Sequence, residues 1–153
     1  MVDRMAKRIM KEIEKIRNGD FKEVEINIPD ESNIRNLNAI LNGPEDTAYE
    51  GIKYHISIKL GVGYPMKPPI VKFVSKIYHP NVGHTGSICL DILQNNWSPA
   101  MSIANIITSL QLLLQEPNPS SPLNSDAAKL FISNKGKYTI KVKSLIGKTY
   151  KNK

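Results

Sequence analysis

The chain has 153 residues, of which 41% are hydrophobic and 23% charged, and its formal net charge at pH 7 is +7. This length and composition predict one globular domain over residues 1–153, without a separate tail domain, that buries a core without disulfides or metals. No apolar run reaches the ~20 residues of a membrane span, and the first residues lack the apolar stretch of a signal peptide. With a single cysteine, these features predict a cytoplasmic or nuclear location and no membrane partner.

The positive charge is concentrated near the carboxyl end, where eight lysines and no acidic residue lie between Lys129 and Lys153. A basic segment raises nucleic-acid binding as a function class. Here the lysines alternate with apolar residues, as on the solvated face of a helix, and arginine is absent. The dense aromatic residues of a base-stacking surface are also absent. The pattern therefore favours a solvated helix face, and nucleic acid is not expected as a partner.

The amino-terminal segment predicts an amphipathic helix that ends at Asn18-Gly19-Asp20. Four strand candidates follow, in which apolar residues alternate with polar ones or follow a turn. They lie at Val24–Ile28, Leu37–Leu41, Ile52–Leu60 and Ile70–Val74. Because the links between them are short, we expect an antiparallel meander with one solvated face.

Residues 75–101 show little periodicity, and a structureless stretch of this length inside a domain is usually functional. Ser102 then predicts the start of an apolar central helix that Pro117 stops. A short helix is expected from Ser125 to about Gly136, and a basic helix completes the chain. The order is N-terminal helix, four-stranded meander, long active-site loop, central helix and two C-terminal helices, which predicts an α+β fold.

Cys89 is the only cysteine, so it cannot form an intramolecular disulfide or a cysteine-ligated zinc site. It is either a buried inert thiol or a nucleophile, and for an arbitrary free cysteine the inert alternative is the usual one. The residues around it decide between the two. They form short motifs: His79-Pro80-Asn81, Gly86-Ser87-Ile88-Cys89-Leu90-Asp91, Trp97-Ser98-Pro99-Ala100, Tyr64-Pro65-Met66-Lys67-Pro68-Pro69 and Glu116-Pro117-Asn118-Pro119.

In the order and spacing of these motifs, the chain resembles the ubiquitin-conjugating enzyme family over nearly its whole length. The resemblance implies that Cys89 accepts ubiquitin as a thioester from an activating enzyme by transthiolation. A ubiquitin ligase, expected to be RING-type, would then assist its transfer to lysine amines of substrate proteins by aminolysis. ATP would be consumed by the activating enzyme, and no metal or organic cofactor is expected.

The resemblance also assigns expected roles to residues around the thiol. The Asn81 amide would stabilise the tetrahedral oxyanion, support the loop, or do both. Asp91 and Ser121 would orient the incoming amine, although many relatives carry aspartate at the position of Ser121. His79, Pro80 and Trp97 would be structural.

Binding surfaces are implied in the same way. Contact with the ligase and the activating enzyme is expected from a set of residues on the first helix and two loops: Lys7, Arg8, Lys11, Met66, Ser98, Pro99 and Ala100. Met66 replaces a phenylalanine found in many relatives, which can change the preferred ligases. Asn105, Thr108 and Leu112 match the positions on the central helix that would face the donor ubiquitin.

Four alternatives remain open at the level of sequence. The modifier could be a ubiquitin-like protein, and the chain could be a non-catalytic ubiquitin-binding or scaffold member of the same fold, although such members lack the cysteine. A thiol hydrolase would need His79 or His84 as a base. A nucleic-acid-binding module would lose affinity steeply with salt.

Overall fold

The computed structural model describes residues 4–19, 21 and 23–150; Asp20, Lys151 and Lys153, used in the predictions above, lie outside these ranges. The elements in chain order are α1 (Ala6–Asn18), β1 (Val24–Asn27), β2 (Asn36–Asn42), β3 (Lys53–Lys59), β4 (Ile70–Phe73), a 3₁₀ turn (Asp91–Leu93), α2 (Ile103–Gln115), α3 (Ser125–Ser133) and α4 (Lys135–Ser144). The predicted α+β fold class is confirmed. Within the described ranges, no helix combines the length and apolar character that a membrane crossing requires.

The sheet is an antiparallel meander in the order β1-β2-β3-β4. One row of paired residues crosses all four strands on the buried face: Ile26, Ala39, Ile56 and Phe73. The neighbouring row points to the other face and is polar throughout: Asn27, Asn38, Ser57 and Lys72. Because successive side chains of a strand alternate between faces, the apolar alternation in the sequence is what selects the core face.

Helix α1 buries Ile9, Ile13 and Ile16, as its apolar stripe predicts. The residue that follows it, Gly19, has an extended backbone rather than the left-handed conformation usual at such a glycine. A Cβ atom on Gly19 would lie 2.5 Å from the carbonyl oxygen of Lys15, so the glycine is required by close packing against the last helical turn.

Helix α2 crosses the centre of the domain and buries its apolar side chains: Ile103, Ile106, Ile107, Leu110 and Leu114. Its first turn is fixed from two directions. The Asn105 side chain accepts a hydrogen bond from the Ser102 amide at 2.8 Å, and the Glu12 carboxylate of α1 accepts one from the Ile103 amide at 2.9 Å. A carboxylate at this place also complements the positive end of the helix dipole.

The carboxyl-terminal helices differ from the sequence prediction in their bounds. Helix α3 ends at Ser133, so the prediction that it runs to about Gly136 is wrong. The reason is Asn134, whose amide donates to the carbonyl of Leu130 while its side chain accepts from the amide of Lys137 at 3.1 Å. One asparagine therefore ends α3 and begins α4.

Helix α4 exposes its lysines (Lys135, Lys137, Lys141 and Lys143) and buries Tyr138 and Val142, as expected for a solvated face. It does not complete the chain, because it ends at Ser144. The next residues turn back at Gly147, which has a φ of +81°, and the chain returns to the segment that follows β4.

Candidate active site

Cys89 lies at the end of a small hairpin in the long loop after β4, and its side chain is half-buried. The hairpin closes through a bridge between Val82 and Ile88 and through a hydrogen bond from the Cys89 amide to the carbonyl of Asn81, at 2.9 Å. A second bridge joins Ser87 to Lys72 of β4. The hairpin that leads into the thiol is therefore tied to the sheet.

Gly86 makes the tight turn of this hairpin. Its φ of +85° lies in the left-handed region, and a Cβ atom there would come within 2.1 Å of the carbonyl oxygen of Phe73. The amide of Phe73 in turn donates to the carbonyl of Gly86 at 2.9 Å. Only glycine allows the hairpin to lie this close to β4, so Gly86 sets the position from which Cys89 projects.

Asn81 is almost fully buried beside the thiol-bearing segment, and its side chain joins the hairpin to the loop after α2. Its Nδ2 donates to the carbonyl of Asn118 at 2.8 Å and, over a longer distance of 3.4 Å, to the carbonyl of Ser121. Its Oδ1 accepts from the amide of Asn118 at 2.9 Å. The side chain therefore holds two loops together, and one of its two amide hydrogens is only weakly bound.

His79 is completely buried, and both of its ring nitrogens are occupied. Nδ1 accepts from the amide of Asn81 at 2.9 Å, which fixes the neutral tautomer in which Nε2 donates to the carbonyl of Leu113 at 2.8 Å. Burial lowers the pKa of His79 to about 4, an effect that the Leu113 contact only partly opposes. An imidazole held in this way cannot serve as a general base for Cys89.

Pro80 is buried as well, and its carbonyl oxygen accepts from the amides of Leu123 and Asn124 at 2.8 and 3.0 Å. These bonds attach the segment before the hairpin to the start of α3. Asn81 and Pro80 thus connect the same short segment to two parts of the loop between α2 and α3.

Asp91 and Ser121 are both exposed. Asp91 begins the 3₁₀ turn, and its carboxylate accepts from the amide of Ile92 at 2.8 Å and from the side chain of Asn96 at 3.1 Å. Ser121 lies in the proline-rich loop, where its carbonyl contacts Asn81. The structure therefore places Ser121 beside the Asn81 side chain and Asp91 two residues beyond the thiol.

The residues expected to bind partners are brought together by an aromatic contact between two loops. The indole nitrogen of Trp97 donates to the carbonyl of Pro65 at 2.8 Å, and its ring centroid lies 6.0 Å from that of Tyr64. This contact joins the loop of Met66, whose side chain is 72% exposed, to the loop of Ser98, Pro99 and Ala100.

Arg8 attaches helix α1 to the same surface. Its guanidinium lies 5.6 Å from the centroid of the Tyr64 ring, and it donates to Glu12 at 3.1 Å and to the carbonyl of Met101 at 3.5 Å. Lys7 and Lys11 are exposed on the same helix. The seven residues predicted for partner binding therefore come from three segments that contact one another.

Sequence reasoning named Asn118 only as part of a motif and did not identify it as the backbone partner of Asn81. It also missed Tyr150, whose hydroxyl lies 3.3 Å from both the amide and the carbonyl of Ile77. No sequence signal indicates that contact, because it joins residues 73 positions apart. Across the described residues, no group of three or more metal-ligating side chains is found.

A partly exposed thiol on a hydrogen-bonded loop, with both ring nitrogens of His79 already bonded, fits a protein that carries an acyl group rather than one that hydrolyses it. The comparisons with known proteins agree with this class. The family model described as "Ubiquitin-conjugating enzyme" matches residues 8–146. The chain is 48% identical over 122 residues to Ubiquitin-conjugating enzyme E2 3 of Arabidopsis thaliana, covering 80% of this chain and 81% of that protein.

Two further relatives extend the match. The chain is 44% identical over 146 residues to Ubiquitin-conjugating enzyme E2 1 of Caenorhabditis elegans, covering 95% of this chain and 76% of that protein. The solved E2 domain of a Toxoplasma gondii ubiquitin conjugating enzyme superposes with a TM-score of 0.84 at 35% identity, covering 97% of this chain and all of that one.

The chain therefore belongs to the ubiquitin-conjugating enzyme family, as its motifs predict. Its members are transferases that act through thioester intermediates, in company with ubiquitin, activating enzymes and ligases.

Proposed function

We propose that Cys89 accepts ubiquitin as a thioester and transfers it to lysine amines of substrate proteins with the assistance of a RING-type ligase. In this proposal residues 1–153 act as one catalytic domain in the cytoplasm or the nucleus. The observation that carries the proposal is the placement of Cys89. The only thiol of the chain is partly exposed at the end of a hairpin that is tied to β4 and to Asn81.

Two acyl transfers make up the reaction. In the first, the Cys89 thiolate attacks the thioester carbonyl of ubiquitin on the activating enzyme, whose own thiolate leaves. In the second, a lysine amine attacks the carbonyl of the Cys89 thioester, the resulting tetrahedral oxyanion collapses, and the Cys89 thiolate leaves while the amine loses a proton. The protein's task is to hold the carbonyl, stabilise the oxyanion and orient the amine.

Asn81 is assigned to the oxyanion in addition to its structural role. One hydrogen of its Nδ2 is held by the carbonyl of Asn118 at 2.8 Å, whereas the other faces the carbonyl of Ser121 at 3.4 Å. A forming oxyanion is a stronger acceptor than a neutral carbonyl and can compete for the weakly held hydrogen. Both roles expected for Asn81 are therefore assigned to it here.

Asp91 and Ser121 are assigned to the incoming amine. The ammonium of a free lysine has a pKa near ~10.4, so the amine must lose a proton before or during attack. The exposed carboxylate of Asp91 can orient this group even while it accepts from Ile92 and Asn96. Ser121 can offer a hydroxyl to it but no negative charge, so of the two only Asp91 attracts the incoming ammonium electrostatically before that group loses its proton.

The buried state of His79 supports transfer over hydrolysis. A base beside the thioester would activate water as readily as it would activate an amine. His79 has both nitrogens engaged and a pKa lowered to about 4, so it provides no such base near neutral pH. The thioester would therefore hydrolyse slowly and react mainly with a positioned lysine.

Partner recognition is assigned to the surface formed by α1 and the two loops joined through Trp97. Lys7 and Lys11 offer exposed positive charge, and Met66 offers a flexible apolar side chain. Pro99 and Ala100 complete the ligase-facing edge. On α2, the exposed residues Asn105, Thr108 and Leu112 are assigned to the donor ubiquitin, because they form the solvated side of an otherwise apolar helix.

The proposal is tested by incubating the purified chain with activating enzyme, ubiquitin and ATP, and separating the products with and without reductant. Wild type should give a reductant-labile adduct of one ubiquitin, Cys89→Ser a reductant-stable ester, and Cys89→Ala no adduct. Addition of free lysine should then discharge the thioester. If the chain charges with a ubiquitin-like protein but not with ubiquitin, that protein is the modifier it carries. Failure with every modifier would refute the catalytic role and leave a non-catalytic binding protein.

A further inference from the structure

The segment after α4 forms an additional attachment to the active-site region. After the turn at Gly147, the carbonyl of Lys148 accepts from the amide of Lys76 at 2.8 Å, and the amide of Tyr150 donates to the carbonyl of Val74 at 3.0 Å. Residues 148–150, called here the C-terminal strap, thus pair in antiparallel fashion with the backbone that leaves β4 and leads to the active-site loop.

Tyr150 extends this attachment to the hairpin of Cys89. Its hydroxyl accepts from the amide of Ile77 and donates to the carbonyl of the same residue, each at 3.3 Å. Its ring lies against Gly86, since a Cβ atom on that glycine would be 3.1 Å from Cδ2 of Tyr150. The ring and hydroxyl therefore contact the segment that enters the loop and the turn of the hairpin.

The two contacts lie on either side of Asn81, and the second lies shortly before Cys89. Ile77 lies just before His79-Pro80-Asn81, and Gly86 lies three residues before Cys89. On its other side, Gly86 is held by Phe73 of β4 through the bond at 2.9 Å. Without the tyrosine ring, Gly86 would keep its hydrogen bond with Phe73 of β4 but would lose its contact with the side chain of Tyr150.

From this arrangement we infer that Tyr150 is a positioning residue for ubiquitin transfer, acting by holding Asn81 and Cys89 in a fixed relation. The inference rests on the proposed role of Cys89. It places the carboxyl-terminal strap in the active-site framework, although no motif of the sequence marks it.

The inference predicts a specific kinetic pattern. The contacts of Tyr150 with Ile77 and Gly86 do not involve the surface of Lys7, Arg8 and Met66 that is assigned to partners. Loss of the ring should therefore lower the rate of aminolysis while leaving the KM for the charged activating enzyme unchanged. A small displacement of a reacting group is enough to slow a positioned reaction by one to two orders of magnitude.

The test compares Tyr150→Ala with Tyr150→Phe and with Phe21→Ala, a control that removes another half-buried aromatic ring packed on the core. Single-turnover discharge to free lysine should slow by about tenfold in Tyr150→Ala, stay within about threefold of wild type in Tyr150→Phe, and stay within about twofold in Phe21→Ala. Hydrogen exchange at the amide of Cys89, which is bonded to Asn81, should accelerate by about tenfold in Tyr150→Ala alone.

Equal effects in Tyr150→Ala and Phe21→Ala, or unchanged exchange at Cys89 in Tyr150→Ala, would overturn the inference. If Tyr150→Ala does not fold, Tyr150→Leu takes its place with the same expected direction. Failure of the wild-type chain to charge on Cys89 would instead refute the proposed function, and with it a role in transfer. The charging assay on wild type therefore separates the two kinds of failure.

Discussion

Because His79 is buried in its neutral form, we expect the free energy of unfolding to decrease as the pH falls from 6.5 to about 4. The ring is completely buried between the amide of Asn81 and the carbonyl of Leu113. Desolvation lowers its pKa from an ordinary value of 6.5 to about 4. The perturbation is acidification from pH 7 to pH 4, applied to wild type and to His79→Asn.

The protein should lose stability on acidification because the unfolded state binds a proton at higher pH than the folded state does. As the pH falls through 6.5, the imidazole of the unfolded chain takes up a proton, whereas that of the folded chain does not until about pH 4. The unfolded state therefore binds more protons throughout this window, and the free energy of unfolding falls with the pH. At 1.36 kcal/mol per pKa unit the full loss is about 3 kcal/mol, a large part of the 5–15 kcal/mol typical of a domain.

Urea unfolding at half-unit pH intervals measures the effect. Asparagine at position 79 can still accept from the amide of Asn81 but does not titrate, so the variant should start less stable by about 1–3 kcal/mol and lose less on acidification. All other residues are common to the two proteins, so effects that do not involve position 79 cancel in the comparison. If the two stability curves ran parallel between pH 6.5 and 4, His79 would not be held neutral and the reasoning would be refuted.

Three further predictions concern the loop. Gly86→Ala should lower the free energy of unfolding, measured in urea, by at least about 2 kcal/mol more than Gly51→Ala does. Both glycines have a positive φ, but only a Cβ atom at Gly86 would clash with a neighbouring carbonyl. An equal loss of stability in the two variants would show that the structure relieves this clash. Ser121→Asp should speed discharge of the thioester to lysine severalfold near pH 7, because a carboxylate there can attract and orient the incoming ammonium and accept its proton, and an unchanged rate would place the side chain away from the amine. Asn81→Ala should slow discharge by about 100-fold while charging of Cys89 changes by less than about tenfold; equal losses in both assays would indicate a purely structural asparagine.

The sheet and the central helix were predictable because their signals are local. Alternation in each strand selects the face that carries Ala39 and Ile56, and the links are shorter than a parallel crossover needs, which favours antiparallel neighbours. The end of α3 was not predictable from its apolar pattern. The residues from Ser125 to Gly136 are compatible with one helix, and the break depends on Asn134, whose backbone amide bonds the end of α3 while its side chain caps the start of α4.

The sequence motifs nominate members of the candidate site but do not show how their side chains are bonded. Motif spacing points to Asn81, Cys89 and Asp91, yet it does not reveal that the Asn81 amide is already engaged by the loop after α2. Nor does it reveal the contact of Tyr150 with Ile77, which depends on how far the chain turns back after α4. Interactions between residues distant in sequence arise from packing, and no local pattern encodes them.

The lengths of the strands add a consequence for solubility. The outer strands β1 and β4 have four residues each, whereas the inner strands β2 and β3 have seven. Free strand edges invite pairing between molecules, and proteins limit this by shortening or covering them. The edge of β4 is covered by Ser87 of the hairpin, and its continuation is covered by the C-terminal strap. The loop that presents Cys89 thus also shields the sheet from self-association, and damage to it should produce aggregation together with loss of activity.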